Sequence, residues 1–346
     1  TLKKGEKEQE VISKSVLESH FVPKLLHGTQ RTYYSRLEVE TAIAQHIKED
    51  PPSAILVLSG AKCVGKSSVL DHVLAENVIV DLKGKKVSEP RKGVVVVNLD
   101  KAGVLSIDKR IVLALGADPE QIYNHRDFVI RVCNRFYEEH KYRPVIVLRA
   151  TTDLSGPHSL TVSSALSTYS RSARAAVTVF DPLTNKTVIS MLQEWRAFFV
   201  AVPELTEEQV SDYLGADKVA ELTRQGVALA EIMSVVGGNP ILLDDLANSK
   251  DPKRYMQVLV DEAAVDLQAY LQRFPAHRAA LVALSARPYE QGLPLKDYNA
   301  AAKAAVRVLD LADFSGESLQ YSADKQSVVF SSRAHLVAAP QALRKK

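Results

Sequence analysis

Short apolar runs alternate with amphipathic stretches over the first two hundred residues. The runs typical of buried strands are residues 54–58, 78–82, 94–99, 145–148, 177–180 and 197–202. The stretches with apolar residues at helical spacing are residues 34–47, 107–115, 127–142, 159–169 and 186–195. Short apolar strands separated by helices are typical of a parallel sheet covered on both faces. The pattern therefore predicts an α/β domain.

Two polar stretches interrupt this alternation. Residues 83–93 contain Lys85-Lys86 and Arg91-Lys92, and their polarity predicts a loop after the strand at 78–82. The first ten residues are charged and aperiodic, which predicts a solvated arm. Apolar residues recur irregularly over residues 11–26, and we expect a helix there that lies on the body of the domain.

Strands stop after residue 203, and helical periodicity dominates the rest of the chain. Helices are predicted at residues 207–214, 217–224, 228–236, 241 onward, 256–273, 277–284 and 295–311. Two short β-runs, 318–321 and 327–331, enclose a polar turn at 323–326. Three helices followed by two short strands predict a winged-helix-like module. The predicted domains are an N-terminal arm (1–30), the α/β domain (31–203), a helical lid (204–250), and a winged-helix-like domain with a C-terminal tail (251–346).

Charge, cysteine content and hydropathy exclude several classes of protein. The net charge of +3 over 346 residues gives no general basic field for nucleic acid or an anionic membrane. Cys63 and Cys133 form neither a disulfide framework nor a metal-ligand pattern, so we expect an intracellular reducing compartment, the mitochondrial matrix or the cytoplasm. The longest apolar runs fall far short of the roughly 20 residues that span a bilayer. We therefore expect no membrane span, and no signal peptide at the start.

The most specific motif follows the first predicted strand. Residues 60–67 match G-x-x-x-x-G-K-[ST] and stand between an apolar strand and a helical run, as a phosphate loop requires. In such a loop the glycines let backbone N–H groups converge on phosphate oxygens, and the lysine neutralises the β- and γ-phosphates. Ser67 is the predicted Mg²⁺ ligand. The predicted nucleotide-binding residues are Gly60, Ala61, Lys62, Cys63, Val64, Gly65, Lys66, Ser67 and Ser68.

Hydrolysis requires an acid at the end of a second strand, to hold the Mg²⁺ water shell and orient water. Residues 145–148 are the best candidate for that strand, but Arg149-Ala150 stands where an acidic pair would be expected. Arg149 would draw in triphosphate oxygens and hold the ground state. Asp153 and Asp100 are the weaker candidates for a catalytic acid, with a loop-capping or turn role as the alternative for each. The sequence therefore predicts nucleotide binding with weak hydrolysis or none.

The base preference follows from a partial guanine motif. Asn185-Lys186-Thr187 begins the N-K-x-D pattern with which regulatory GTPases read guanine. Val188 stands in place of the carboxylate that would pair with the base. ATP is therefore the expected nucleotide, with GTP less favoured, and Mg²⁺ is the expected metal.

Two further segments carry a family resemblance. Tyr34-Ser35-Arg36-Leu37-Glu38 precedes the phosphate loop, and Gly237-Gly238-Asn239-Pro240 follows the last strand. Together with the loop, they resemble the AAA-related STAND and archaeal-type ATPases with a degenerate second acidic motif (Walker B), a group similar to mitochondrial nucleotide-binding assembly subunits. The resemblance implies that Arg36 lies near the base or ribose, that Pro240 packs near the nucleotide, and that a winged helix follows. Ser35 stands where this family usually has Gly. Gly237-Gly238 also suits a plain helix C-cap.

These observations leave three functions open. The chain is a nucleotide-stabilised subunit of a larger assembly, an active ATPase switch that regulates a protein or nucleic-acid partner, or a nucleic-acid-binding ATPase that uses its winged helix. Residues 251–346 carry 13 basic and 10 acidic residues, and the surplus lies in Arg344-Lys345-Lys346. A duplex reader should have a basic stripe on its recognition helix. We therefore expect protein partners rather than nucleic acid.

Overall fold

The computed structural model describes residues 15–23, 33–48, 55–61, 63–98, 106–149, 169, 171, 176–180, 197–302, 318–322 and 327–344. Lys62, Asp100, Asp153 and the predicted helix at 186–195 lie outside these residues, as does nearly all of the helix predicted at 159–169. The chain divides into two compact units. Unit 1 comprises Thr1–Leu58, Ser67–Pro182 and Thr187–Val200, and unit 2 comprises Ser59–Lys66, Leu183–Lys186 and Ala201–Lys346.

The strands of the first two hundred residues form a parallel sheet and a separate hairpin. They are β1 (Ile55–Ser59), β2 (Val78–Leu82), β3 (Lys85–Glu89), β4 (Val94–Asn98), β5 (Val145–Arg149), β6 (Ala176–Phe180) and β7 (Ala197–Ala201). Five of them form one sheet in the order β4-β5-β6-β1-β7. The β4–β5, β5–β6 and β6–β1 pairs are parallel, with Leu56 opposite Thr178 and Thr178 opposite Val147. The predicted α/β architecture with a parallel sheet is thus confirmed for these four strands.

Four helices lie among the described residues of this region. They are α1 (Leu37–Lys48), α2 (Lys66–Ala75), α3 (Ile107–Ala114) and α4 (His125–His140). Polar caps define two of their starts, since the side-chain oxygens of Ser106 and Asn124 accept backbone N–H bonds in α3 and α4. The buried core joins helix and strand side chains, including Ile111, Phe128 and Leu148. Burial of such apolar stripes is the main force that holds helices on a sheet.

The second predicted strand does not belong to the parallel sheet. β2 pairs antiparallel with β3, and Val80 lies opposite Val87. The prediction of a loop over residues 83–93 is therefore wrong for Lys85–Glu89. Lys83 and Gly84 both adopt positive φ, at 52° and 80°, which is the backbone of a two-residue hairpin turn. The lysines that suggested a loop are exposed on the hairpin.

The described part of the N-terminal region packs into unit 1. In place of the predicted longer helix, residues 15–23 hold a single 3-10 turn, Val16–Glu18. Leu17 is fully buried in the same core as the sheet. Its carbonyl accepts a hydrogen bond of 2.8 Å from the amide of Gly93, and the amide of Phe21 donates to the carbonyl of Arg91 at 2.9 Å. These backbone bonds place the segment beside the chain that leads into β4.

Unit 2 is mostly helical. Its helices are α5 (Glu207–Leu214), α6 (Ala216–Arg224), α7 (Leu229–Val235), α8 (Pro240–Asn248), α9 (Pro252–Arg273), α10 (Arg278–Ser285), α11 (Leu295–Ala301) and α12 (Arg333–Arg344). Its strands are β8 (Leu293–Pro294), β9 (Leu319–Ser322) and β10 (Ser327–Phe330), which form an antiparallel sheet in the order β8-β10-β9. The two C-terminal β-runs were predicted, whereas β8 and α12 were missed. The predicted helix at 295–311 is described as far as Ala301, and the winged-helix assignment stays a prediction.

One ion-pair cluster connects distant parts of unit 2. Arg333, the first residue of α12, donates from Nε to Glu204 at 2.7 Å and from Nη2 to Glu290 at 2.5 Å. Its guanidinium also lies 5.0 Å from the ring centre of Tyr289. Burial alone would lower the pKa of Arg333, but the two carboxylates outweigh it and raise that pKa. The start of the predicted lid and the C-terminal helix are therefore tied by charge within one unit.

Within the described residues, no helix combines the length and the apolar character that crossing a bilayer requires.

Candidate nucleotide-binding site

The phosphate loop, residues 60–67, has a backbone shaped for anion binding. Gly60, Cys63 and Gly65 adopt positive φ values of 142°, 64° and 97°. Alternation of left-handed and right-handed residues turns successive N–H groups toward one point, where an anion can bind. Gly60 cannot be replaced without strain, because a Cβ there would lie 2.4 Å from the carbonyl oxygen of Val202. The loop thus needs glycine for both its φ and this close approach.

Two contacts hold the loop in place. Val64 is fully buried, and its amide donates a 3.3 Å hydrogen bond to the carbonyl of Ala61. The amide of Val202, just after β7, donates to the carbonyl of Ser59 at 2.8 Å. A buried apolar anchor and backbone hydrogen bonds on either side make the loop a preformed structure. Preformed loops bind with less loss of conformational entropy.

The lysine of the motif, Lys66, lies over the loop. Lys66 begins α2, and its Nζ donates to the carbonyls of Gly60 at 2.6 Å and Ala61 at 3.0 Å. The ammonium is therefore held above the loop backbone. Ser67 and Ser68 occupy the first turn of α2 and are partly exposed. The N-terminal end of a helix adds a partial positive charge for phosphate.

The end of β5 differs from the sequence expectation. Arg149 was expected to reach toward a triphosphate, but its Nη2 donates to Oδ1 of Asp71 on α2 at 2.5 Å. The two side chains are 19% and 11% exposed. The carboxylate comes from a helix residue that sequence reasoning did not single out. The predicted strand is present, and the arginine that stands in place of the expected acid pairs with Asp71.

The residues described at this end of β5 do not fit a magnesium ion. The hydroxyl of Ser67 is a suitable hard ligand, but Mg²⁺ also needs carboxylates close by to hold its waters. Asp71 lies one helical turn after Ser67, and Arg149 already occupies one of its oxygens. The guanidinium bound to Asp71 opposes a second cation at this carboxylate. Asp100 and Asp153, the other acids proposed, lie outside the described residues.

The segment before α1 surrounds a buried glutamate. Oε1 of Glu40 accepts hydrogen bonds from Tyr33 Oη at 2.7 Å, Ser35 Oγ at 3.0 Å and the Arg36 amide at 2.5 Å. Burial would raise the pKa of Glu40, but these three donors outweigh it and lower that pKa. Ser35, which departs from the family's usual Gly, uses its hydroxyl in this cluster. Sequence reasoning missed Glu40, although an acid in the first turn of a helix is a recognisable capping signal.

This cluster also contacts the helix of the phosphate loop. The Tyr33 ring stacks on His72 of α2 at a centroid distance of 4.2 Å. Nε2 of His72 lies 3.9 Å from Oε2 of Glu40. Arg36, the residue expected near the base or ribose, is half-buried, and burial lowers its pKa. The segment is therefore part of the support of α2, and the nucleotide contact of Arg36 stays a prediction.

The Gly237–Pro240 segment joins two helices of unit 2. Gly237 follows α7 with φ of 67°, and its amide donates to the carbonyl of Ile232 at 3.0 Å, which is a helix C-cap. Asn239 caps α8, with Oδ1 accepting from the amide of Ile241 at 3.1 Å. The capping alternative therefore accounts for these residues. Pro240 is the first residue of α8 and is partly exposed, and its nucleotide contact stays a prediction.

Gly238 has a different role. A Cβ there would lie 1.9 Å from the carbonyl oxygen of Leu205, and the Leu205 amide donates to the carbonyl of Gly238 at 2.9 Å. Backbone thus packs directly on backbone, which only glycine permits. Because Leu205 is three residues after Val202, the segment that supports the phosphate loop also holds the start of α8.

Comparisons with protein families and with curated proteins found no match. Among solved structures, the chain is similar to a Signal Transduction ATPase with Numerous Domains (STAND) with a tetratricopeptide repeat sensor from Pyrococcus horikoshii, at 12% identity and a TM-score of 0.43. That similarity covers 94% of this chain and 44% of the other, so the chain spans less than half of that protein's length. It is also similar to the Drosophila ORC bound to DNA, at 15% identity and a TM-score of 0.35, over 99% of this chain and 94% of the other.

Proposed function

We propose that the chain binds a nucleoside triphosphate, ATP in preference to GTP, on residues 60–68, and hydrolyses it slowly or not at all. In this proposal the bound nucleotide stabilises a subunit of a larger assembly. The partners are proteins, and the compartment is the mitochondrial matrix or the cytoplasm. Nucleic-acid binding is not part of this proposal, because the C-terminal module lacks a basic stripe in its sequence.

The backbone of the phosphate loop carries this proposal. Positive φ at Gly60, Cys63 and Gly65 and the position of Lys66 Nζ over the loop carbonyls give an anion cradle with one fixed cation. Cys63 adopts a left-handed conformation that costs a non-glycine residue free energy. Such strain at a non-glycine residue is typical of functional loops. The preference for ATP rests on the sequence, where Val188 replaces the acid that would read guanine.

Titration calorimetry with ATP tests the binding. Lys66→Ala should weaken ATP affinity by at least about tenfold, or roughly 1.4 kcal/mol, because the loop loses the ammonium that the carbonyls of Gly60 and Ala61 hold. Lys85→Ala, which removes an exposed lysine from the β2–β3 hairpin, is the matched control and should leave affinity unchanged. Equal affinity of Lys66→Ala and the natural chain would refute the assignment of the site.

A switch is the second candidate function, and one contact favours it. Arg333 of α12 is bonded to Glu204, the residue at which the predicted lid begins, so these two parts of unit 2 are mechanically joined. A lid that responds to nucleotide would carry the C-terminal module with it. In that case Arg333→Ala should uncouple partner binding from nucleotide, and turnover should rise when the partner is added. A passive subunit should show neither effect.

A further inference from the structure

The ion pair between Arg149 and Asp71 joins the end of β5 to the helix of the phosphate loop. Both side chains are mostly buried, and Nη2 of Arg149 donates a charge-assisted hydrogen bond to Oδ1 of Asp71. Asp71 follows Ser67 by four residues, so the two side chains lie one turn apart on the same face of α2. Helical side chains lean toward the N-terminus, which directs Asp71 back toward the turn of Ser67.

This placement brings a fixed cation to the neighbourhood of the predicted metal ligand. A magnesium ion held by Ser67 and by the carboxylate of Asp71 would compete with the guanidinium that Asp71 already binds, because two cations repel each other. The carboxylate that could anchor the metal's waters is the same one that Arg149 engages. The pair therefore both repels the metal and removes its nearest described acidic anchor.

We infer that the phosphate loop binds a nucleoside triphosphate without Mg²⁺, and that the Arg149–Asp71 ion pair is what makes the site independent of the metal. The inference rests on the proposed function, because it concerns the same site. In a variant without Arg149, the Asp71 carboxylate should be able to hold the waters of a magnesium ion.

The first experiment measures ATP affinity of the full chain by calorimetry, in millimolar Mg²⁺ and in EDTA. We expect ATP binding in Mg²⁺ to be no stronger than in EDTA, because Mg²⁺ also holds ATP in solution and the described residues give the metal no free acidic ligand at this site. Binding that strengthens by more than about tenfold in Mg²⁺ would overturn the inference while leaving the proposed function intact. Absence of binding in both buffers would overturn the proposed function and this inference together.

Three variants test the role of the ion pair. Arg149→Gln removes the guanidinium from Asp71, and Mg²⁺ should then strengthen ATP binding by at least about tenfold. Arg149→Gln combined with Asp71→Asn also removes the carboxylate and should abolish this gain. Arg149→Lys keeps a cation at position 149 and should show no gain in Mg²⁺. If Arg149→Gln folds and remains indifferent to Mg²⁺, the ion pair is not the cause and the inference is wrong.

A matched control separates this effect from a general loss of an ion pair. Arg126 pairs with Asp108 at 3.1 Å in unit 1, and neither residue lies on α2. Arg126→Gln should leave the ratio of the two dissociation constants at its natural value. The same gain of Mg²⁺ dependence in Arg126→Gln would contradict the inference. Should Arg149→Gln not fold, the natural chain and Arg149→Lys still decide, because neither may bind ATP more tightly in Mg²⁺ than in EDTA.

Discussion

The phosphate loop and the end of β5 differ in how closely each follows the pattern that is usual for a nucleotide-binding protein. The loop has the glycines at 60 and 65, the lysine over its carbonyls, and a hydroxyl at 67. The end of β5 has a cation where an acid would be expected, and that cation is bound to Asp71. The loop can hold the ground state of a bound nucleotide. The described residues at the end of β5 include no acid that would lower the barrier to hydrolysis.

The difference shows that binding and hydrolysis depend on separate physical features. Binding needs converging N–H groups and a cation, which a short local segment supplies. Phosphoryl transfer needs a metal and a water held in line, which acids on other strands supply. A chain can therefore keep the first and replace the second. The Arg149–Asp71 ion pair is such a replacement, and it joins α2 to the end of β5.

The largest expected effect is the loss of stability when the Arg149–Asp71 ion pair is broken. Arg149→Ala leaves the buried Asp71 carboxylate without its guanidinium partner, and we expect the free energy of unfolding to fall by on the order of 3 kcal/mol. Urea unfolding followed by circular dichroism measures this loss. Asp71→Leu combined with Arg149→Met should recover most of it, because an apolar pair of similar volume removes the buried charge.

Arg126→Ala provides the comparison for this prediction. Its pair with Asp108 is more exposed, at 35% and 17% of the side chains, so solvent screens it and the loss should be below about 1 kcal/mol. An equal loss in Arg126→Ala and Arg149→Ala would mean that burial does not distinguish the two pairs.

Local signals explain what could be predicted from the sequence. The four-valine run of β4 and the apolar run of β1 predict buried strands, and the glycines and lysine of residues 60–67 predict the phosphate loop that follows. The β2–β3 hairpin was missed because Lys85 and Lys86 resemble loop residues, and its decisive feature is the positive φ at Lys83 and Gly84.

Contacts between distant residues explain what could not be predicted. Asp71 and Arg149 are 78 residues apart, and no periodicity or motif connects them. The stack of Tyr33 on His72 likewise joins two segments on either side of β1. The sequence shows that position 149 is not acidic, but the partner of its arginine depends on how α2 packs beside the sheet. Tertiary packing, rather than local preference, sets that part of the site.

A smaller effect is expected at Glu40, whose cluster contacts α2 through the stack of Tyr33 on His72. Tyr33, Ser35 and the Arg36 amide lower the pKa of Glu40 from its ordinary value of 4.5. A carboxyl whose folded-state pKa is lowered stabilises the fold fully above the unfolded value, and this stabilisation is lost as pH falls through the folded value. Glu40→Gln should therefore cost about 1 kcal/mol at neutral pH, the scale of one net hydrogen bond, and less in acid.

Thermal unfolding at several pH values below and above 4.5 measures this dependence. Glu38→Gln, an exposed acid in the same turn of α1, is the matched control and should follow the natural chain at every pH. If Glu40→Gln and the natural chain lose stability in parallel as the pH falls, the three hydrogen bonds do not act on the ionised form. The cluster would then be a packing contact without an electrostatic contribution.

The smallest expected effect concerns ATP turnover, which we expect to be negligible in the isolated chain and unchanged by substitution of the candidate acids. The described end of β5 offers a guanidinium bound to Asp71, which neither anchors a metal's waters nor aligns an attacking water. The isolated chain should therefore turn over ATP far below about one per second. Asp100→Ala and Asp153→Ala should leave that rate unchanged, and steady-state phosphate release measures it. Asp100 and Asp153 follow the ends of β4 and β5 in sequence, where a catalytic acid of such a site is expected. Turnover above about one per second that either substitution abolishes would return the site to the class of active ATPases. It would also place the missing catalytic acid on a loop, because position 149 itself is committed to Asp71.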